Sequence, residues 1–308
     1  MGKKIVVIGS SNVDLIMKMD HLPAVGETVT DAEFFQVYGG KGANQAVAAA
    51  RAGGDVAFVN CVGSDAYTPQ MLENYRNDGI DTSCVFHDES RSSGHALVMI
   101  GQAGQNYLSV APGANYSLTP ELLERARPVI DQAAIIIMQN EIKDTTIKHV
   151  LVLAKEKGIP VLWNFAPARE FDPKYLGKAT LLVVNEIEAK FLTGIEVADG
   201  TSTGNAARSL LQKGISMVII TLGEEGAIAF QDNHIYKVPG YRVEAMDTTS
   251  AGDVFCGSLA VALQEGKPVE EALQFANAAA AICVSRIGAQ PSAPKRTEIE
   301  EFLKSRNR

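Results

Sequence analysis

The sequence predicts an α/β protein: a doubly wound, mostly parallel sheet flanked by helices, with a small β-sheet lid. Three observations predict it. Apolar runs of strand length, such as IVVIG at 5–9, AAIIIMQ at 133–139 and MVIITLG at 217–223, are nearly continuous rather than alternating, as expected of strands buried on both faces. Amphipathic helical stretches separate them, which argues crossover connections and a parallel sheet. Around 90–111 the rhythm breaks: SSGHALVMIGQAGQNYLSVAPGAN holds two strand-like runs about a glycine-containing turn, which reads as a β-hairpin.

The elements follow in order. After IVVIG, the segment DHLPAVGETVTDAEFFQVYGG at 20–40 is strand-rich, and KGANQAVAAARAGG at 41–54 reads as a helix ending at paired glycines. VAFVNCVG at 56–63 is the next strand. The hairpin at 90–111 and the 20–40 region are expected to pair outside the main body, as a lid built from about 15–38 and 93–111. From 118 the alternation is regular: helix TPELLERARPVI, strand AAIIIMQ, helix DTTIKHVLVLAKEKG and strand PVLWNF. Then come strand TLLVVN, helices EIEAKFLTG and TGNAARSLLQKG, and strand MVIITLG. The small-residue helix EEALQFANAAAAICVSR closes the pattern, its alanines allowing close packing. The reading is one domain, 1–308, carrying its lid.

Composition bounds the function. At 46% hydrophobic and 21% charged over 308 residues, the chain has ordinary globular composition and can bury a sizeable core. The net charge is −8 and the charges are scattered, which excludes nucleic acid and anionic membrane as expected partners. Phosphate could still be held by backbone amides. Cys61, Cys84, Cys256 and Cys283 form no CxxC pair and read as buried thiols in a reducing compartment. The five histidines are isolated and no HExxH occurs, so no zinc site is expected. The N-terminal apolar run is too short for a secretory signal, Val6 breaks the myristoylation pattern, and no run has transmembrane length. A cytoplasmic protein is expected.

In open parallel sheets ligands bind beyond the carboxyl ends of the strands. Asn12 and Asp14 follow the first strand, and Glu141 follows AAIIIMQN. Asn164 ends PVLWN, Asn185 and Glu188 follow TLLVV, and Glu224, Glu225 and Gly226 follow MVIITLG. Polar loops follow most strands, yet five strands offering Asn or an acid at the same relative place point to a site. YGGKGANQ is not a P-loop, and GSSNVD after the first strand is not the GxGxxG of dinucleotide folds, which disfavours a nicotinamide dehydrogenase. DTTSAGDVFCGS at 247–258 is more telling. Ser250, Ala251 and Gly252 let a ligand approach the backbone, and a helix start beyond them supplies unpaired amides and the positive dipole end. Asp253 could merely stabilise that helix end. Beside an anion hole it could also take a proton from a hydroxyl that attacks a phosphoryl group.

GGKGANQAVAAARAGG and DTTSAGDVFCG resemble the two signature regions of the ribokinase-like carbohydrate kinases, and the resemblance runs from VVIGSSNVD through GETV, APGAN, NFAPARE, NEIEAKFLTG and ITLGEEGA to GAQPSAPKR. It implies ATP-dependent phosphorylation of O5 of D-ribose, with Asp253 as base and the amides at Ala251, Gly252 and Asp253 as anion hole. It implies sugar contacts from Asn12, Asp14, Gly40, Lys41, Gly42, Asn44 and Glu141. Asn185, Thr221, Gly223, Glu224, Gly226, Gly252 and Asn277 would serve the nucleotide, and Glu188 of the Asn-x-x-Glu stretch would act on Mg²⁺ through water. A K⁺ activator would sit at Asp247, Thr249, Cys283, Arg286, Gly288 and Ser292, several acting through carbonyls. Lids of the family pair into homodimers. Departures are few: Ser250 and Ser258 replace smaller residues, and Asn277 stands where relatives can have His. Asn12 stands where deoxyribose kinases of the family look apolar, which favours ribose; deoxyribose, fructose, a nucleoside or a silent binder remain the alternatives.

Overall fold

The computed structural model describes residues 4–102 and 104–306. The strands are β1 (Lys4–Ile8), β2 (Asn12–Met19), β3 (Glu33–Gly39), β4 (Val56–Gly63), β5 (Val85–Asp88), β6 (Gly94–Gly101), β7 (Asn106–Ala111), β8 (Ala133–Met138), β9 (Val161–Asn164), β10 (Leu181–Asn185), β11 (Met217–Thr221), β12 (Ala227–Gln231) and β13 (His234–Val238). The helices are α1 (Lys41–Arg51), α2 (Thr68–Asn77), α3 (Pro120–Arg125), α4 (Arg127–Ile130), α5 (Asp144–Lys157), α6 (Glu186–Thr193), α7 (Gly200–Leu211), α8 (Ala251–Gln264), α9 (Val269–Val284) and α10 (Arg296–Arg306).

Nine strands form the main sheet in the order β13-β12-β11-β10-β9-β8-β1-β4-β5. The pairs from β11 to β5 are parallel, and β12 and β13 add an antiparallel edge. Both faces are covered, as the continuous apolar runs require. Ile5 and Val7 of β1 face a core shared with α1, α8 and α9, whereas Val6 and Ile8 face the core beneath α5, α6 and α7. The side-chain period of two thus sends alternate residues of one strand into two separate cores.

The lid is a second sheet of four strands in the order β3-β2-β6-β7. Its hairpin, β6–β7, lies where the sequence predicts it. The other half differs from expectation. β2 starts at Asn12, three residues after β1 ends at Ile8, and residues 20–32 carry no strand. Asn12 and Asp14 therefore sit in the lid's first strand rather than in a loop after β1, and β2 pairs in parallel with β6. The predicted helix 119–130 divides at Ala126, two residues before Pro128, which has no N–H to bond back into the preceding turn.

Two glycines set the depth of α1. A Cβ at Gly42 would stand 2.4 Å from the Ser10 nitrogen, and one at Gly257 of α8 would stand 2.6 Å from the Gln45 oxygen. Without those carbons α1 seats against the end of β1 on one side and α8 on the other, which carries Asn44 and Gln45 to the start of α8.

Candidate active site

The site is organised by the first turn of α8. Ser250 precedes the helix in the left-handed region (φ 63°), a conformation costing a non-glycine residue roughly 1 kcal/mol. Its hydroxyl accepts a hydrogen bond from Asn44 Nδ2 at 2.7 Å. The Ala251 amide makes a long 3.3 Å bond to the Thr248 carbonyl. The Gly252 and Asp253 amides have no protein acceptor among the described residues. Asp253 is the third residue of the helix and is buried. Its Oδ2 accepts from Asn44 Nδ2 at 3.1 Å and its Oδ1 from Gln45 Nε2 at 2.9 Å.

Near Asp253 gathers a cluster of polar side chains that includes Asp14 of the lid strand β2. Burial, then the nearby Glu141 and Asp253 carboxylates, push the Asp14 carboxyl up to about 7. Lys41 answers these acids: Asp253 above all, with Glu141 and Glu188, holds its ammonium charged beyond the usual range despite burial. Glu141 is fixed by Ser10 Oγ at 2.5 Å and the Lys41 amide at 2.9 Å, both donating to Oε2. Asn12 accepts at Oδ1 from Asn115 Nδ2 at 2.8 Å, which leaves its amide group to donate. Asp14 Oδ1 and Asn44 Oδ1 are buried acceptors without a partner. Buried acceptors need donors, and a ring of carboxylates, amides and one ammonium suits a polyhydroxylated ligand.

At the start of α8 lies a cavity of about 800 Å³, lined by Gly223, Glu224, Tyr241, Arg242, Thr248, Ala251, Asn277, Ala280 and Val284 among others. Of the residues expected at a nucleotide, Gly223, Glu224 and Asn277 are in its wall. Asn277 also braces the wall by donating to the carbonyls of Val238 and Pro239, each at 3.2 Å. Asn185 and Thr221 are not in its lining; they pair with each other at the carboxyl ends of β10 and β11. Asn185 caps α6, accepting from the Glu188 amide at 2.8 Å, while Glu188 Oε2 accepts from the Asn185 amide at 2.9 Å. Glu188 is buried, and burial raises its carboxyl pKa. Gly226 closes the β11–β12 turn at φ 99°, with the Val238 oxygen where a side chain would stand.

Behind the start of α8 two further segments meet. Asp247 accepts from the Thr249 and Gly288 amides, each at 2.9 Å. Cys283 Sγ lies 3.0 Å from Ser292 Oγ and 3.7 Å from the Thr249 carbonyl. The Arg286 guanidinium is turned away onto Glu298. All six residues expected at a cation are thus in these two segments. Five of them, all but Arg286, are directly linked by these contacts, and their chemistry is hard oxygen from a carboxylate, hydroxyls and carbonyls, which fits an alkali cation; the Cys283 thiol is a poor ligand for one. Among the described residues no group of three or more His, Cys, Asp or Glu forms a metal cluster. All four cysteines are free and buried.

Sequence reasoning missed the residues that hold the site rather than line it. Asn115 is buried and accepts from the Ser11 amide at 2.8 Å while fixing Asn12. Gln45 and Gln139 converge behind Asp253, where they meet Asn164, a strand-end residue that the sequence did single out. Their one signal was polarity inside apolar surroundings, as in IIIMQN and VLWN. Tyr241 and Arg242 gave none.

The chain belongs to the pfkB family of carbohydrate kinases, whose model matches residues 2–296. Within that family it resembles the ribokinases. It is 39% identical over 303 residues to ribokinase of Haemophilus influenzae, covering 98% of this chain and 99% of that protein. It is also 38% identical over 300 residues to deoxyribokinase of Salmonella typhi, covering 97% and 98%. The solved structure of Arabidopsis thaliana ribokinase complexed with ribose and ATP superposes with a TM-score of 0.94 at 32% identity, covering 99% of each chain. The protein is therefore a sugar kinase, and the lidded nine-stranded fold is that of the ribokinases.

Proposed function

We propose that the chain transfers the terminal phosphoryl group of ATP to O5 of D-ribose, giving D-ribose 5-phosphate and ADP. The observation that carries this is the place of Asp253. It is bonded to Asn44 of the hydroxyl-matching cluster and lies two residues beyond Ala251, which is in the wall of the cavity, beside two unpaired helix amides. Asp253 takes the proton of the attacking hydroxyl. The Gly252 and Asp253 amides, with Ala251 next to them, stabilise the charge that grows on the transferred group. Asn12, Asp14, Lys41, Asn44 and Glu141 orient the sugar, with the backbone at Gly40 beside them. Asn12 donates to the 2-hydroxyl, which favours ribose; the deoxyribokinase relative makes 2-deoxyribose the second reading.

Mg²⁺ bound with ATP supplies charge neutralisation at the transferring phosphoryl group, and Glu188 would hold it through water. Its buried carboxyl fits that role, since a cation offsets the burial that raises its pKa. K⁺ would be held by Asp247, Thr249, Cys283, Arg286, Gly288 and Ser292, and would fix the loop that leads into α8. The lid supports a homodimer. By strand register the face carrying Asp14 continues into Ile16, Phe35, Val98, Leu108 and Val110, of which Phe35, Leu108 and Val110 are exposed. A second lid would cover this apolar face, and light scattering at micromolar concentration should give a dimer; a monomer would contradict it.

The base assignment is tested by Asp253→Asn. The expected variant binds ribose much as the parent does but loses about 10²-fold or more in kcat. Near-parental turnover overturns the assignment.

A further inference from the structure

We infer that Gln45 is a positioning residue for Asp253, held in its working orientation by Gln139. This rests on the reading of Asp253 as the base. Three amide side chains from three different elements meet behind that carboxylate. Gln45 of α1 donates from Nε2 to Asp253 Oδ1 at 2.9 Å and to Asn164 Oδ1 at 3.1 Å. Gln139, one residue past β8, donates from Nε2 to Gln45 Oε1 at 2.7 Å. Asn164 ends β9 and donates to the Val183 carbonyl at 3.4 Å. Gln45, Gln139 and Asn164 are 0%, 1% and 7% exposed.

The direction of this chain is set by chemistry. An ionised carboxylate has only acceptors, so Gln45 must turn its NH₂ toward Asp253 and its carbonyl away. That carbonyl is then buried and requires a donor, which Gln139 provides. Turning either amide over would bring oxygen against oxygen in a buried site, the costly arrangement for polar groups. Asn44, the neighbouring residue on α1, holds the other carboxylate oxygen. Asp253 is thereby gripped on both oxygens, with one lone pair of each left for the substrate proton. A base held in line needs no reorganisation at the moment of transfer.

The charged and titratable groups facing Asp253 are Lys41, Asp14, Glu188, Cys256 and Cys283. Gln45 and Gln139 are neutral, so replacing them by Met changes hydrogen bonding and leaves these charges in place.

The experiment compares Gln45→Met, Gln139→Met, Gln45→Glu and Asp253→Asn in full-length protein with Mg·ATP and D-ribose. Reading kcat, the ribose KM and the pH profile of kcat separates positioning from scaffolding. Gln45→Met is expected to lose about tenfold in kcat with the ribose KM within about threefold. The acid limb of its profile should move up by about one pH unit, because the carboxylate has lost a charge-assisted donor. Gln139→Met should show the same pattern more weakly, and it is decisive if Gln45→Met does not fold. Gln45→Glu, which sets a second carboxylate against Asp253, should move the limb furthest. Parental kcat and an unmoved acid limb in the Met variants, with Asp253→Asn inactive, would overturn the positioning role alone. An active Asp253→Asn would overturn the base assignment on which it rests.

Discussion

The two halves of the active site are built in opposite ways. On the proposed sugar side, side chains do the work: Asn44 and Glu141 are held by hydrogen bonds, and Asp14 and Lys41 stand in the field of Glu141 and Asp253. On the proposed nucleotide side a cavity of about 800 Å³ is lined by small residues such as Gly223, Gly240, Ala251 and Ala280 together with Glu224, Tyr241, Arg242 and Asn277. The two glycines nearest the chemistry show the contrast. A Cβ at Gly42 would collide with the protein's own backbone, whereas one at Gly252 would meet nothing within 4 Å. Gly42 is small for the fold. Gly252 is small although the fold leaves it room, which is the pattern expected where a ligand comes close. A discriminating pocket needs directional donors and acceptors, while a phosphate chain needs open amides and space.

Substituting these two glycines should break the symmetry of the halves. Gly252→Ala is expected to keep the parent's melting temperature or raise it slightly, since alanine favours a helix by roughly 0.5–1 kcal/mol over glycine. It should nevertheless lose about tenfold or more in kcat/KM for ATP, the equivalent of roughly 1.4 kcal/mol at the transition state. Gly42→Ala should do the reverse: overpacking against Ser10 costs roughly 1–3 kcal/mol, seen as a lower melting temperature in calorimetry. If Gly252→Ala unfolds easily and turns over normally, the contrast is wrong.

The contrast also explains what could be read in advance. GGKGANQ and DTTSAGD carry unusual residue types at fixed spacing, as the proposed chemistry there would require, and their local helices follow from those same residues. The parallel sheet was legible in unbroken runs such as MVIITLG. The wall of the proposed nucleotide cavity was not, because nothing in the residue types or spacing of Tyr241, Arg242 and Val284 marks them for it. Nor was the start of β2 legible: strand pairing with β6 recruits Asn12 and Asp14, and nothing local to GSSNVD announces a partner some eighty residues away. Gln45 looked like one more residue of a helix until α8 was seen to pack on it.

A smaller effect should sharpen the sugar side. Asn12→Leu removes the donor that Asn115 holds in place, and the ratio of kcat/KM for ribose over 2-deoxyribose should fall roughly tenfold, the value of one hydrogen bond at the upper end of its usual range. An unchanged ratio would remove Asn12 from the 2-hydroxyl.

The smallest effect is on stability. Asp14 has a carboxyl pKa of about 7 in the folded chain against 3.8 ordinarily, so folding takes up a proton between those values. Stability should decline as pH rises from about 4 to about 7, and ionised Asp14 should cost stability above that window. Asp14→Asn is therefore expected to melt a few degrees higher than the parent at pH 8, roughly 2–4 °C for each kcal/mol relieved, with the gain shrinking at lower pH. Ribose binding should weaken in the same variant. A lower melting temperature at pH 8 would mean that Asp14 is stabilised by partners other than substrate.

The most direct measurement is a coupled ADP-release assay with Mg·ATP on D-ribose, 2-deoxyribose, fructose and adenosine, each with and without K⁺. The account predicts fastest turnover on D-ribose, rising with K⁺. Faster turnover on 2-deoxyribose or another acceptor would contradict the reading of Asn12, and no turnover on any would contradict the proposed reaction itself.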